Sequence, residues 1–312
     1  MSRVAVLKGG RSLERQVSLS SGARVEESLR RLGHEVLEID VGHDLVDRLA
    51  ADRPDLAFVV LHGRDGEDGT VQELLEVLGI PYTGSRVSAC IRASDKVLAK
   101  HALRDAGIPT PDFFAFSETA FRALGAAQAL PAISSRLDFP IVVKPASQGS
   151  ALGIKFAQSE SDVPTALIAA FSYDRKVLLE RYVAGRELAV SVLAVDGAPV
   201  ALPIVEAIPE QESFYDFASR YEIGRTRFVC PAALDAAAAA RVQELALAAF
   251  ELLGCAVFAR VDLMLSADAL EPFVLEVNPI PGLTETSLLP QAADAAGIGF
   301  DDLIARIVAA AS

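Results

Sequence analysis

Short apolar runs alternate with amphipathic stretches through the first ninety residues of the chain. The runs at 3–10, 34–41 and 55–63 have the length and the glycine or charged boundaries of buried strands. Between them, residues 18–33 and 68–79 carry apolar side chains at helical spacing, and each stretch ends on a glycine. Strands that alternate with helices predict a parallel, doubly wound sheet of the α/β class, whose ligands bind beyond the carboxyl ends of the strands.

The apolar pattern then stays helical from 85 to 107, which predicts one long helix. Pro109 and Pro111 follow it and indicate a change of module. From about 112 to 181 the pattern mixes strands with helical segments, as in α+β proteins.

The last third of the chain begins with two predicted strands that form a hairpin turning at Asp196 and Gly197. An alanine-rich helix follows, and then two more strands at 255–265 and 271–278. Two short helices are predicted to close the chain.

Composition excludes several functional classes. The chain has 312 residues, 51% hydrophobic and 23% charged, which is enough for two or three globular domains. Its net charge of −13 argues against binding to nucleic acid or to an anionic membrane surface. Cys90, Cys230 and Cys255 are widely spaced in apolar settings, which indicates small hydrophobic side chains in a reducing cytosol and neither a disulfide framework nor a metal site. The first residues show no signal-peptide pattern, so a cytoplasmic protein is predicted.

A glycine- and serine-rich stretch, "KPASQGSALG" at 144–153, follows an apolar strand. It matches neither the P-loop pattern nor the dinucleotide-binding pattern of glycines. Its backbone N–H groups and the Ser150 hydroxyl can still surround a phosphate, and Lys144 can reach one as a point charge. The alternative is a flexible turn with a surface lysine.

A second candidate site lies on the strands at 255–265 and 271–278. Alternation puts Arg260 and Asp262 on one face of the first strand. The same period puts Glu276 and Asn278 on one face of its partner. If the two faces coincide, two carboxylates and an amide converge beside a guanidinium. Such oxygen ligands suit Mg²⁺ completed by phosphates and water, and a solvated polar face is the alternative.

Several further residues carry weaker signals. Glu180 and Glu187 flank a strand end where a hinge could hold a nucleoside, and the aromatic stretch 214–221 could be a lid. His62 could act as a base, although a lone histidine at a strand end is more often structural. Glu14 could simply pair with its neighbour in water.

Nine segments occur in order along nearly the whole chain. They are "GGRSLERQVS", "LHGRDGEDGT", "IPYTG", "SDK", "VVKPASQGSALG", "LLERYVAGRE", "FYDFASRY", "ARVDLM" and "LEVNPIPGLTETSL". In this combination the chain resembles the D-alanine–D-alanine ligases of the ATP-grasp superfamily. The joint occurrence is far more specific than any single segment.

The resemblance implies an ATP-grasp fold, in which a doubly wound parallel α/β domain precedes two α+β subdomains that clamp ATP. It implies an N-terminal domain at 1–92, a central lid subdomain at 93–181 and a C-terminal subdomain at 182–312. It also implies that ATP is a substrate for joining two D-alanines through an acyl phosphate, which feeds peptidoglycan synthesis. Two Mg²⁺ ions, for which Mn²⁺ can substitute, and a homodimer are implied as well.

The resemblance also implies roles for individual residues. The catalytic group comprises Glu14, Ser150, Tyr221, Arg260, Gly282 and Ser287, and His62 and Leu288 lie at the amino-acid substrates. The ATP-binding group comprises Lys96, Lys144, Glu180, Arg181, Val183, Glu187 and Arg220. The Mg²⁺ ligands are Asp262, Glu276 and Asn278.

Within the catalytic group, Glu14 is expected to bind the ammonium of the first D-alanine, in a network with Ser150 and Tyr221. Arg260 and the Gly282 N–H are expected to form an oxyanion hole. Ser287 with Leu288 is expected to hold the carboxylate of the second substrate.

The chain departs from the family pattern at four positions. Ser94 stands where methionine is common, Ala151 replaces a usual serine, and Arg220 replaces a frequent lysine. Pro279 follows the last predicted metal ligand, and its missing N–H removes one hydrogen bond. Altered affinity is the expected consequence of these departures.

Two alternatives stay open at this point. A ligase that makes D-alanyl-D-lactate or D-alanyl-D-serine is the nearest, and Tyr221 favours the dipeptide over the depsipeptide, because depsipeptide ligases tend to carry histidine there. A non-catalytic ATP-binding relative is the other alternative.

Overall fold

The computed structural model describes residues 1–195, 197–209 and 226–311. The predicted turn residue Asp196 and the predicted lid stretch, with Arg220 and Tyr221, lie outside the described residues. No helix in the described ranges is both long and apolar enough to cross a membrane.

A parallel sheet forms the N-terminal part, as the alternating pattern predicts. Its three strands have the order β2-β1-β3. The strands and helices of this part are β1 (Arg3–Lys8), α1 (Arg15–Arg31), β2 (Glu35–Asp40), α2 (Leu45–Asp52), β3 (Leu56–Val59) and α3 (Thr70–Leu78). Helix α1 begins three residues before its predicted start, and α2 has no counterpart in the prediction. The Glu14 side chain does not cap α1, since its carboxylate accepts a hydrogen bond from Ser150 instead.

The long helix predicted at 85–107 is wrong, because the structure has two helices there. They are α4 (Val87–Ser94) and α5 (Lys96–Asp105). Asp95 separates them in an extended conformation, and its carboxylate accepts hydrogen bonds from the N–H groups of Val97 at 2.9 Å and Leu98 at 3.1 Å. An aspartate that caps a helix in this way offers the backbone an alternative to continued helix, which explains the break.

An antiparallel sheet with the order β4-β7-β5-β6 forms the central part. Its elements are β4 (Phe113–Ser117), α6 (Glu118–Ala123), α7 (Leu130–Leu137), β5 (Ile141–Pro145), β6 (Lys155–Ala157), α8 (Val163–Phe171) and β7 (Lys176–Arg181). Buried aliphatic side chains of α7 and α8 pack on one face of the sheet, which therefore has a core of its own.

The largest sheet follows, with the order β11-β10-β8-β12-β13 and with β9 also paired to β8. Its strands and the last helices are β8 (Gly185–Val195), β9 (Ala198–Ala201), β10 (Val205–Pro209), β11 (Thr226–Val229), α9 (Ala236–Leu253), β12 (Phe258–Ser266), β13 (Pro272–Asn278), α10 (Leu288–Ala295) and α11 (Phe300–Ala311). Strands β8 and β9 form the predicted hairpin, with Val195 opposite Ala198. The alanine-rich helix α9 packs its apolar side chains on this sheet.

The end of the chain returns to the N-terminal part. Leu29 of α1 and Ile304 of α11 belong to one buried cluster, and Arg31 and Asp301 form an ion pair of 2.7 Å at its edge. The loop between β13 and α10 consequently lies beside α1, where the Leu283 N–H donates a hydrogen bond to a serine of that helix.

Candidate active site

One pocket is lined by residues that follow strands of all three sheets. It opens between the loops that follow β1, β3 and β5 and the loop that follows β13. The predicted site residues that line it are Glu14, His62, Lys96, Ser150, Arg260, Glu276, Asn278, Gly282, Ser287 and Leu288. Residues that lie more than 250 positions apart in the sequence therefore share one site, which local sequence patterns cannot reveal.

Strands β12 and β13 bring the four predicted polar residues to facing positions. Arg260 lies opposite Asn278, and Asp262 lies opposite Glu276. A bulge follows at Leu275, which has no partner in the register. The two polar faces therefore coincide, as the alternation of the strands allows.

The charges on these strands are closely paired. Asp262 is buried, and its two carboxylate oxygens accept hydrogen bonds from the Arg260 guanidinium at 2.7 and 2.8 Å. The Lys96 ammonium lies 3.1 Å from a Glu276 oxygen. The Asn278 side-chain oxygen accepts a hydrogen bond of 3.0 Å from the Ile280 N–H.

The donor set on β12 and β13 consists of oxygen atoms, which suits a hard cation such as Mg²⁺. In the described part of the chain, no three histidine, cysteine, aspartate or glutamate side chains converge as a metal-binding group. Two carboxylates and one amide are fewer ligands than Mg²⁺ takes, so phosphate and water oxygens would complete its coordination.

Glu14 and Ser150 meet at the opposite wall of the pocket. Glu14 is only 6% exposed, and the Ser150 hydroxyl donates a short hydrogen bond to its carboxylate. Burial raises the pKa of Glu14, and the nearby carboxylate of Glu67 raises it further. A Cβ atom at Gly149 would lie 2.7 Å from the other Glu14 oxygen, so a side chain at this position would force the Glu14 carboxylate to move.

His62 lines the pocket, but protein groups occupy both ring nitrogens. Its Nδ1 lies 3.0 Å from the Ile280 carbonyl oxygen, and its Nε2 lies 3.4 Å from the Ser21 hydroxyl. A carbonyl only accepts, so the hydrogen-bond network assigns the proton of the neutral ring to Nδ1. Ser21 then donates to Nε2 and accepts from the Leu283 N–H at 3.1 Å. His62 and Ser21 together hold the loop on both sides of Gly282.

The loop after β13 brings the two remaining predicted groups together. A Cβ atom at Gly282 would lie 2.6 Å from the Ser287 hydroxyl oxygen, so a side chain at this position would force the hydroxyl to move. Ser287 precedes α10, and its hydroxyl oxygen accepts a hydrogen bond of 3.1 Å from the Thr284 N–H. The N–H groups at the start of α10, including that of Leu288, form a site that favours a carboxylate.

The other predicted ATP-binding residues that the structure describes do not line this pocket. Lys144 and Glu180 are both buried and form an ion pair of 2.8 Å. The Arg181 guanidinium lies 5.7 Å from the centre of the Phe273 ring. Val183 lies between β7 and β8, and Glu187 lies on β8 opposite Met264.

Comparison with known proteins identifies the family. A family model for the D-ala D-ala ligase C-terminus matches residues 102–309, and one for the N-terminus matches residues 47–85. The chain belongs to the D-alanine–D-alanine ligase family.

Curated and solved members of the D-alanine–D-alanine ligase family match nearly the full chain. The D-alanine–D-alanine ligase of Syntrophotalea carbinolica is 45% identical over 99% of this chain and 96% of its own. That of Moorella thermoacetica is 43% identical over 98% of each. The crystal structure of the Bacillus anthracis ligase complexed with ATP matches with a TM-score of 0.83 and 34% identity, covering 100% of this chain and 97% of the other.

The structure also shows three residues that sequence reasoning missed, one in the pocket lining and two that support predicted site residues from the interior. Glu67 lines the pocket near Glu14, Ser21 supports the loop at Gly282, and Lys100 contacts Glu180 at 2.5 Å. A signal existed for Lys100 alone, because it follows Lys96 by four positions and so shares a helix face with it. Ser21 and Glu67 become recognisable only through contacts between distant segments.

Proposed function

We propose that this chain joins two molecules of D-alanine to D-alanyl-D-alanine, with ATP converted to ADP and phosphate. The observation that carries the proposal is the shared pocket, which Glu14 and Ser150 line together with Arg260 and Glu276. A carboxylate suited to an amino acid's ammonium thus shares one cavity with the cationic and oxygen-rich groups that a triphosphate needs. Family membership supports the same reaction.

The residues of the pocket supply binding and orientation for two steps. In the first, the carboxylate of one D-alanine attacks the γ-phosphorus of ATP and ADP leaves. Glu14 holds the ammonium of this D-alanine, and Lys96 balances charge at the phosphates. In the second, the amine of the other D-alanine attacks the acyl carbon, loses a proton, and phosphate leaves. Arg260 and the Gly282 N–H stabilise the oxyanion, which is where such donors contribute most to rate.

We further propose that Asp262, Glu276 and Asn278 bind two Mg²⁺ ions. Mn²⁺ is expected to substitute for Mg²⁺ at this site. A metal held by these residues would neutralise charge at the phosphates of ATP. Glu276→Gln keeps the shape of the side chain and removes its charge. We expect about a 100-fold loss of turnover at limiting Mg²⁺, partly recovered at high Mg²⁺. If the Mg²⁺ titration of Glu276→Gln superimposes on that of the unmodified chain, Glu276 is not a metal ligand.

Family resemblance also supports a homodimer, a cytoplasmic location, and units at 1–92, 93–181 and 182–312. Sedimentation equilibrium tests the dimer, and limited proteolysis near residues 92 and 181 tests the boundaries of the units.

The decisive assay incubates the purified chain with ATP, Mg²⁺ and either D- or L-alanine. Equal amounts of phosphate and dipeptide, from D-alanine only, are expected. Competition with D-serine or D-lactate, with products measured by mass, tests the two alternative nucleophiles. ATP binding without phosphate release in the presence of D-alanine would contradict the proposal.

A further inference from the structure

Lys100 is a fully buried lysine in α5, with 0% of its surface exposed. Lysine is rarely buried without partners, and this one has three. Its ammonium lies 2.5 Å from a Glu180 oxygen, donates to the Thr110 hydroxyl at 2.5 Å, and lies 5.2 Å from the centre of the Phe113 ring. These contacts hold the ammonium in one place.

Glu180 stands between two ammonium groups. One of its oxygens pairs with Lys100 and the other with Lys144 at 2.8 Å. Lys144 lies on β5, directly before the loop whose residues 147–150 line the pocket. Lys100 is anchored away from that loop, because Thr110 donates onward to the Val274 carbonyl oxygen of β13 at 2.8 Å. One ammonium is therefore fixed in the interior, and the other lies next to the site.

We propose that Lys100 is a positioning residue that serves as the permanent counter-ion of Glu180 and so makes Lys144 available to the phosphates of the nucleotide. If Lys144 alone balanced Glu180, its movement toward a phosphate would leave a buried carboxylate unpaired, which is strongly unfavourable. With Lys100 in place, Glu180 keeps a charged partner throughout. This inference rests on the proposed use of ATP.

The protonation of Lys100 gives the proposal a distinctive signature. Burial lowers the pKa of Lys100 to about 8, against the opposing effect of Glu180 and with a further lowering by Lys144. The charged groups that face it are Glu180 from β7, Lys144 from β5 and Asp112 from the segment before β4. As the pH rises through this range, Lys100 loses its charge, and Lys144 is then the one charged counter-ion of Glu180 among the residues that the structure describes. Nucleotide affinity should then fall.

The test measures the Kd of ADP with Mg²⁺ by calorimetry, so it requires no catalysis. In the unmodified chain, the Kd of ADP should rise about fivefold between pH 7 and pH 9. This is the rise expected if deprotonation of one group with a pKa of about 8 weakens ADP binding about tenfold. Lys100→Met should raise Kd about tenfold at pH 7 and remove the pH dependence. The KM for D-alanine, measured at saturating ATP, should stay unchanged.

Lys8→Met is the matched control, because Lys8 also pairs with a buried glutamate, Glu26 at 2.6 Å, but lies in the N-terminal sheet. An equal loss of ADP affinity in both variants, or a Kd of the unmodified chain that does not change between pH 7 and pH 9, would overturn the proposal. The pH dependence of the Kd in the unmodified chain tests the proposal even if Lys100→Met does not fold. Failure of the unmodified chain to bind ADP at any pH would overturn the proposed function, and this inference with it.

Discussion

Two glutamates of this protein are almost equally buried, and yet their pKa values shift in opposite directions. Glu14 is 6% exposed and Glu180 is 3% exposed. Burial and the carboxylate of Glu67 raise the pKa of Glu14, and the hydrogen bond from Ser150 lowers it too little to compensate. Burial also acts to raise the pKa of Glu180, but Lys100 and Lys144 outweigh it, so the pKa is lowered.

The difference shows what each carboxylate is placed to do. Among the described residues no lysine or arginine forms an ion pair with Glu14, and one of its oxygens is buried without a hydrogen-bond partner there. An ammonium that entered the pocket would supply the missing partner. Glu180 already has two cationic partners, so it organises its neighbours and is not available to a cationic ligand. The pKa values of the two glutamates therefore differ because of their neighbouring charges and not because of their burial.

The largest expected effect is on the use of D-alanine by Glu14→Gln. The amide cannot balance an ammonium, so kcat/KM for D-alanine should fall about 100- to 1000-fold, as for loss of one partner in a buried charge pair. The Kd of ADP should change less than about twofold, since Glu14 faces the amino-acid side of the pocket. Steady-state kinetics and calorimetry measure the two quantities. A loss of less than tenfold would mean that Glu14 does not carry the ammonium.

The same substitution at Glu180 should mainly lower the free energy of unfolding. Glu180→Gln leaves two buried ammonium groups with no carboxylate between them, which costs about 3 kcal/mol of the free energy of unfolding. Urea unfolding at pH 7 measures the change. Glu206→Gln is a useful control, because Glu206 is a buried glutamate whose cationic partner among the described residues is Arg186 alone, at 2.6 Å and partly exposed. We expect a smaller loss there, and an equal loss would contradict the importance of the second lysine.

A smaller effect is expected at the loop that carries Gly282. Ser21→Ala removes both the acceptor for the Leu283 N–H and the donor to His62, so the Gly282 N–H loses part of its support. We expect kcat to fall about tenfold, with the Kd of ADP unchanged. Ser18→Ala is the control, because Ser18 on the same helix also makes two buried hydrogen bonds, to the Gly9 N–H and the Val60 carbonyl. Equal kcat values in the two variants would leave Ser21 with a structural role only.

The sequence predicts the strand pair β12–β13 well, for a physical reason. Apolar residues fill one face of each strand, so alternation alone assigns Arg260 and Glu276 to the other face. Family resemblance then supplies the roles that no pattern of spacing can supply. The break at Asp95 escapes prediction because buried positions continue at helical spacing on both sides of it, as at Ala93 and Val97.

The contrast between the two glutamates is beyond sequence reasoning. Glu180 and Lys100 lie 80 positions apart, and Glu14 and Ser150 lie 136 apart, so only the packing of the three sheets brings each pair together. Lysine and glutamate are ordinarily exposed, which makes a solvated surface the default expectation for all of them. Their burial is a property of the fold and not of the segments.

The smallest expected effect is on the free energy of unfolding of Glu14→Gln. It should rise, whereas the free energy of unfolding of Glu180→Gln should fall. Because folding raises the pKa of Glu14, the folded chain holds a proton that the unfolded chain releases above the ordinary value of 4.5. The contribution of Glu14 to the free energy of unfolding is therefore fully present below that pH, and it is lost as the pH rises through the pKa of Glu14 in the folded chain. Removing the charge should raise the free energy of unfolding by about 1 kcal/mol at pH 7 and change it little at pH 4. Urea unfolding at both pH values measures this difference. A destabilised variant at pH 7 would mean that Glu14 has a cationic partner in the free enzyme, and the contrast with Glu180 would then disappear.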